Sequence, residues 1–399
     1  MNEENSKTRG LQKPPLGGLG VYDVAIVGGG LAGLALSIQS AKAGYKTILF
    51  EKEKYPFHKV CGEYVSLESW NFLEELGLPL SQMNLPIIRD LVVTAPNGKK
   101  LEHRLPLGGF GISRHKLDSM LARIAKENGV ELLEETKVND INFKNELFNV
   151  LPIAIGSSML NVQSKIVAGT FGKRSNLDVK WKRDFVLQKP SKLNNYIGVK
   201  YHVKTDWSKE VIALHNFKNG YCGISQIEDE KFCLCYLTTA KNLEESGNSI
   251  EEMEKNILSS NPHLKNIFTN AEKIYPAPVT ISQISFEKKS LIDNHILMIG
   301  DAAGMITPLC GNGMSMALHG SKIAFEQIDL FLRDKISRQQ LEQNYEYNWK
   351  KQFGRRLKTG RMIQRFFGSA FLSNLLVTSL KPFPYMVNKL IAQTHGQVF

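Results

Sequence analysis

Three glycines at Gly28-x-Gly30-x-x-Gly33 lie between an apolar run, Asp23-Val-Ala-Ile-Val27, and a helix-forming stretch that continues to about Ala43. The spacing suits one task, holding a pyrophosphate. The first glycine permits a tight turn, the second lets backbone approach the phosphates, and the third lets helix and strand pack closely. The helix N-terminus then faces the phosphate charge. A second apolar run, Thr47-Ile-Leu-Phe50, ends in Glu51, an acceptor for a ribose diol, with Lys52 beside it. Strand, glycine turn, helix and acid-tipped strand together predict a βαβ unit that binds a dinucleotide.

A distant segment narrows the choice of dinucleotide. Gly300-Asp301-Ala302-Ala303-Gly304 is followed by Pro308 and by Gly311-Asn-Gly313-Met314. A strand ending in Asp301 could hold a ribityl hydroxyl, which FAD has and NAD lacks. A helix starting near Gly311 would aim its positive end at the flavin N1/O2 edge, where reduced flavin carries negative charge. The cofactor expected is therefore FAD. One dinucleotide fingerprint is present and a second is not, so a separate nicotinamide domain is not expected.

These residues resemble the flavoprotein superfamily that holds the group A aromatic monooxygenases and the geranylgeranyl reductases, over nearly the whole chain beyond residue 20. Arg114-His-Lys-Leu117-Asp118 is similar to the family's R-x-x-L-D helix, which implies an arginine beside the flavin. Val138 matches the position that touches adenine. Asp301-Ala-Ala-Gly-x-x-x-Pro308 with Gly-x-Gly-Met resembles the reductase branch more than the classical hydroxylases, as does Lys59-Val-Cys61-Gly62-Glu63. That likeness implies a turn near the isoalloxazine from which Cys61 or Glu63 could protonate a substrate carbon. A thiol near a pKa of about 8.5 is a competent acid at neutral pH. One departure stands out. The family's A-D-G-x-x-S stretch corresponds to Thr170-Phe171-Gly172-Lys-Arg-Ser175, with phenylalanine in place of the aspartate, and this bears on NAD(P)H as the candidate electron donor.

The elements needed to position these groups imply an α/β fold: a Rossmann-type FAD-binding domain, an inserted antiparallel β-sheet substrate domain, and a helical C-terminal segment. Strands are predicted at 91–94, 100–105, 131–136 and 165–168, and a helix at 115–127 that ends at Asn128-Gly129. Short alternating strands at 197–203, 211–217, 221–227 and 232–237 mark the inserted sheet, and a helix near 250–259 interrupts it. The boundaries that follow are a loose tail over 1–20, a discontinuous FAD-binding domain over 21–88, 107–180 and 287–335, a substrate domain over 89–106 and 181–286, and a basic helical segment over 336–399.

Composition is that of a globular protein, with 42% hydrophobic and 22% charged residues. Glu3 and Glu4 occupy the place of a signal peptide's positive region, and the cysteines at 61, 222, 233, 235 and 310 form no CxxC pair. Both features point to reduced thiols in a cytoplasmic protein, with no metal or iron–sulfur cluster expected. Cys233-x-Cys235 is predicted as a pair of core side chains on one strand face. The net charge of +11 is uneven: beyond Tyr347 there are nine Lys or Arg and no Asp or Glu. That segment also carries Leu375 and Leu376, so 350–399 is a candidate for peripheral contact with anionic membrane at the inner face. Nothing suggests nucleic acid. The function expected is an FAD-dependent oxidoreductase, read first as a monooxygenase of a lipophilic or aromatic small molecule. The alternative is double-bond reduction in a prenyl or polyene chain. A flavin-dependent halogenase lacks its W-x-W pair among Trp70, Trp181, Trp207 and Trp349, and a non-catalytic prenyl-binding protein fits poorly with an intact Gly300-Asp301 stretch.

Overall fold

The computed structural model describes residues 20–154, 161–189, 194–307, 311–366, 370–394 and 396–399. The expected N-terminal tail and Pro308 lie outside them. The first sheet runs in the order Ile292–Asp293, Ile296–Met298, Val162–Gly169, Tyr22–Val27, Thr47–Phe50 and Glu131–Leu133. All its pairings are parallel except that of the short first strand. Val24, Ala25 and Ile26 are fully buried, as strands covered on both faces must be. The helices Leu31–Lys42 and Gly313–Leu332 pack side by side over this sheet. An antiparallel hairpin, Thr136–Lys144 with Leu147–Ala154, extends it from Val162–Gly169. Only its first residue falls in a predicted strand, because the Asn145-Glu146 turn is built from two non-glycine residues at positive φ rather than a glycine signal.

The second sheet is ordered Glu272–Lys273, Tyr196–Lys204, Phe232–Thr239, Gly220–Gln226, Val211–Phe217, Ile87–Thr94, Lys100–Gly111 and Tyr64–Ser66. It is antiparallel as predicted except at one seam, where Val211–Phe217 runs parallel to Ile87–Thr94. Those two strands come from separate stretches of chain and need no hairpin between them. The outer face presents Val199, Tyr201, Val203, Leu234 and Tyr236 to Met253, Leu258, Leu264 and Ile267 of the covering helices. Alternation turns Lys200, His202, Cys233 and Cys235 the other way, toward the first sheet.

The basic C-terminal segment divides its charges. In the helix Arg338–Phe366, Leu341, Tyr345, Trp349, Phe353 and Leu357 recur every four residues and are buried in the main core. Arg356 is buried with them beside Glu68, at 3.6 Å. Among the described residues, no helix is long and apolar enough to cross a membrane.

The seam of the second sheet holds a buried polar knot. Thr94 Oγ1 and His215 Nδ1 share a hydrogen bond of 2.9 Å, and Asn261 Nδ2 donates to Thr94 Oγ1 and to the Asn216 carbonyl. His263 stacks on His215 at 5.6 Å. Burial, with the neighbouring His263 adding to it, pushes His215 down to about 3 from an ordinary 6.5. The unfolded chain therefore binds a proton that the folded chain refuses. Stability should be full above pH 6.5 and fall as pH drops toward 3, with a slope approaching about 1.4 kcal/mol per pH unit from this residue. Chemical denaturation across that window should show His215→Gln with a shallower slope than the parent, and equal slopes would remove His215 as the cause.

Candidate active site

The glycine turn is built for an anion. Gly28 has φ +110°, a Cβ on Gly33 would collide with the Gly28 carbonyl, and a Cβ on Gly30 would have only Arg114 Nη2 nearby, at 3.8 Å. The first helix has Gly30 at its N-cap and no side chain capping it, so its first-turn N–H groups face outward without a side-chain acceptor. Glu51 is buried at the tip of its strand. Its carboxylate accepts from the Gly29 N–H at 2.8 Å and from the Glu53 N–H at 3.0 Å. Lys52 points to solvent and pairs with Glu53. Tyr55, which the sequence reading missed, donates its hydroxyl to the Gly29 carbonyl and braces the turn from beneath.

Gly300 (φ +65°) bends the chain after Ile296–Met298, and Asp301 stands at the bend. Among the described residues its carboxylate makes no hydrogen bond. Lys289 Nζ donates to the carbonyls of Lys173 (2.6 Å) and Asp301 (2.8 Å), fixing the bend. Burial pulls both Lys173 and Lys289 down to about 8, against the attraction of Asp301. Gly311 has φ +64°, and a Cβ there would sit 3.3 Å from Tyr64. Gly313 opens the 20-residue helix to Leu332, Met314 is buried in its first turn, and Asn312 precedes it with no side-chain cap. Asn312 instead donates to the Thr394 carbonyl at 3.0 Å.

Arg114 begins the helix Arg114–Glu127 and grips Asp118 one turn on, with contacts of 2.7 and 2.8 Å. Burial opposes its charge, but Asp118 outweighs burial and raises the pKa. Lys59 reaches the same carboxylate at 3.1 Å. Val138 is buried, and its carbonyl accepts from Asn176 Nδ2 at 3.0 Å. In the departing stretch, Gly172 keeps φ +80° and Ser175 forms a capping box with Asp178, so the turn survives. Phe171 in the aspartate's place lies against Trp181 and the main core.

The turn carrying Cys61, Gly62 and Glu63 lies on the inner face of the second sheet. Gly198 makes room for it, since a Cβ there would meet Val60 at 2.9 Å. Glu63 sits at φ +55° and is fully buried. It accepts from Lys200 Nζ (2.7 Å), His202 Nε2 (2.6 Å) and the Arg114 N–H (2.9 Å). Burial would raise its pKa, but hydrogen bonding to His202 and the charge of Lys200 win and lower it. Held ionised in this way, Glu63 is an acceptor that anchors the turn. Cys61 is the opposite case: burial pushes its thiol up, with Arg114 only partly countering, so it keeps its proton at neutral pH.

Lys200 and His202 were missed in the sequence. Their signal was two polar side chains two residues apart on one face of a strand otherwise buried and apolar. Cys233 is buried, as expected of a core side chain, and Cys235 is half-buried; both lie on the sheet face that meets the Cys61 turn. Cys233 Sγ lies 3.2 Å from the Cys61 carbonyl, and burial pushes both thiols up, Cys235 to about 12. Glu63, His202 and Cys233 bring ligand-type atoms within 4.8 Å of one another. Lys200 already neutralises the carboxylate from 2.7 Å, so a cation placed there would meet the ammonium. Beyond the polar end, the same inner face becomes apolar through Tyr196, Tyr221, Leu237, Ile284, Phe286 and Met305.

This arrangement fits FAD. Two long helices present uncapped N-termini, a glycine with open space stands at the first, and the Asp301 carboxylate makes no hydrogen bond among the described residues. A family model described as "FAD binding domain" matches residues 21–350. Among characterised proteins, the chain is 25% identical to conditioned medium factor receptor 1 of Dictyostelium discoideum, over 84% of this chain and 68% of that one. It is 26% identical to digeranylgeranylglycerophospholipid reductase of Methanococcus vannielii, over 82% of each. A geranylgeranyl bacteriochlorophyll reductase-like structure from Thermoplasma acidophilum has the same fold, with a TM-score of 0.79, 19% identity, and coverage of 96% of this chain and 97% of that one.

The open space at Gly30 makes the cofactor site testable without unfolding the protein. In Gly30→Val the branched side chain fits against Arg114 but occupies the pyrophosphate's place. The purified variant should melt near the parent's apo form and lack the flavin absorbance. Full flavin occupancy would refute the placement.

Proposed function

The chain belongs to the FAD binding domain family and is an FAD-dependent oxidoreductase, and from that premise we propose that it reduces a carbon–carbon double bond in the prenyl or polyene chain of a lipophilic small molecule. The observation that carries this reading is the placement of Cys61, a half-buried thiol 3.5 Å from the Glu63 N–H in a turn held against the second sheet, with desolvation favouring its protonated form. Net reduction of an isolated double bond adds a hydride to one carbon and a proton to the other. FAD supplies the hydride chemistry. Cys61 donates the proton and recovers it from solvent. Glu63, Lys200 and His202 hold the turn so that the thiol faces the Asp301–Gly311 cradle. The apolar half of the inner sheet face, from Tyr196 to Phe286, beds the chain and excludes water. NAD(P)H is the proposed electron donor. The basic segment 350–399 is proposed to contact anionic membrane, where a lipid substrate resides.

Hydroxylation is the second reading, favoured by the same dry, apolar bed, which either reaction needs. Hydroxylation requires no acid at carbon, and that difference separates the two. Cys61→Ser conserves volume and removes the acid. A reductase should keep its flavin reduction by NADH or NADPH and lose about 10²–10⁴ in the substrate half-reaction under anaerobic mixing. A hydroxylase should change by a few fold at most in an oxygenated assay. A substrate half-reaction untouched by Cys61→Ser would reduce the cysteine to packing and end the reductase reading.

A further inference from the structure

Of the nine bases beyond Tyr347, Arg356 is buried against Glu68, while Lys351, Arg355 and Lys358 are exposed on the long helix, whose apolar side is spent on the core. The exposed apolar surface lies further on, where the helices Ala370–Leu380 and Pro384–Thr394 meet in a hairpin. The connection reads Lys381-Pro-Phe-Pro-Tyr-Met386, and all six residues are exposed. Phe383, Tyr385 and Met386 are 54%, 77% and 51% exposed, with Leu375 at 54%. Lys381 and Lys389 flank them.

The tip is not frayed chain. Val377 and Val387 are buried against Ala95 and Leu101 of the second sheet. Asn374 accepts from the Asn97 N–H, and Asn388 meets His103 at 2.7 Å. Its backbone is also nearly spent. Pro382 and Pro384 have no N–H, the Phe383 N–H donates to the Leu380 carbonyl at 3.0 Å, and the Met386 N–H donates to the Phe383 carbonyl at 3.0 Å. A tip with few open backbone donors enters an apolar interface at little desolvation cost. The acids of the adjoining strands, Asp90 and Glu102, are each paired with a base, Arg104 and Lys100.

We propose that the Lys381–Met386 tip is a membrane-docking knuckle: Phe383, Tyr385 and Met386 insert among the headgroups of an anionic bilayer, and Lys381 and Lys389 pair with lipid phosphates. The occupant is a lipid surface because exposed aromatic residues lie between lysines in a segment without a single acid. The proposal deepens the lipid-substrate reading and rests on it for its purpose. The helix that starts at this tip ends at Thr394, whose carbonyl holds Asn312 at the flavin cradle. Its 11 residues span about 16 Å, within reach of a prenyl chain leaving the bilayer.

The test uses the FAD-loaded full chain and sedimentation with vesicles of phosphatidylcholine alone or mixed with phosphatidylglycerol, at low and high salt. The parent should bind the mixed vesicles, bind less at high salt, and leave neutral vesicles nearly unbound. Phe383→Ser/Tyr385→Ser/Met386→Ser should lose about tenfold or more in partitioning. Lys381→Gln/Lys389→Gln should lose about fivefold per lysine, from about 1 kcal/mol each. Both variants should keep their flavin and melting temperature. Equal binding to both vesicle types, binding to neither, or undiminished binding of the serine variant overturns the proposal. So does a concentration-dependent dimer, by light scattering, that the serine variant loses, which would assign the tip to a second copy. Turnover plays no part in these readouts, so failure here leaves the double-bond reading to the Cys61→Ser experiment.

Discussion

A single buried carboxylate joins the two halves of this protein. Glu63 lies in the turn that leads out of the FAD-binding half, and it takes hydrogen bonds from two side chains of the second sheet and from the first N–H of the Arg114 helix. Burying a carboxylate is costly, and a left-handed backbone at a non-glycine residue adds to that cost. Both are offset only while all three donors stay in place. Removing one leaves a charge uncompensated in an interior without water. The arrangement therefore fixes a relative position of the sheet, the helix and the Cys61 turn, and a thiol carried by that turn has little freedom to wander. A second carboxylate repeats the device one residue earlier, where Glu228 accepts from the Ser113 N–H at 2.7 Å and from its hydroxyl. Two negative charges at the start of one helix also complement its dipole.

The cradle beside that turn has the opposite polarity. Two uncapped helix N-termini, Arg114, and the half-buried Lys173 and Lys289 surround one acid, Asp301. Desolvation pulls Lys173 and Lys289 down to about 8, against the attraction of Asp301. A bound dinucleotide would bring negative charge to this positive surrounding. Part of the chain's folding stability is thus expected to reside in its cofactor, because a ligand that binds only the folded state stabilises it by mass action.

What the sequence revealed and what it hid divide along contact distance. The glycine turn, Glu51 and the Asp301 bend were legible because each is a local pattern with a local reason. The Arg114 helix was legible through its Arg114-x-x-Leu117-Asp118 pattern and its Asn128-Gly129 stop. Glu63 was singled out by position, but its surroundings were not legible, since its ionisation depends on Lys200 and His202, 137 and 139 residues away. Cys233 is buried as expected, but strand alternation gives two faces and does not say which one meets the Cys61 turn. The parallel seam between Val211–Phe217 and Ile87–Thr94 left no trace, because register between distant strands is set by tertiary packing. The basic tail was legible as charge, but its division into buried and exposed bases needed the four-residue apolar stripe of the long helix to be placed against the core.

That division bears on how the C-terminal segment relates to the chemistry. Arg356 extends from the long helix to Glu68, in the turn that follows Cys61 and Glu63 by only a few residues. Asn312, the N-cap residue of the Gly313–Leu332 helix, does not cap it with its side chain but donates to the Thr394 carbonyl. The C-terminal helices therefore act on the cradle twice. They brace Glu68, just beyond the strand Tyr64–Ser66, and they keep the N-terminus of the Gly313–Leu332 helix free for the cofactor. A surface that docks through the hairpin tip is consequently part of the same packed body as the site. Orientation imposed at the tip reaches the cradle through one short helix and the hydrogen bond from Asn312 to the Thr394 carbonyl.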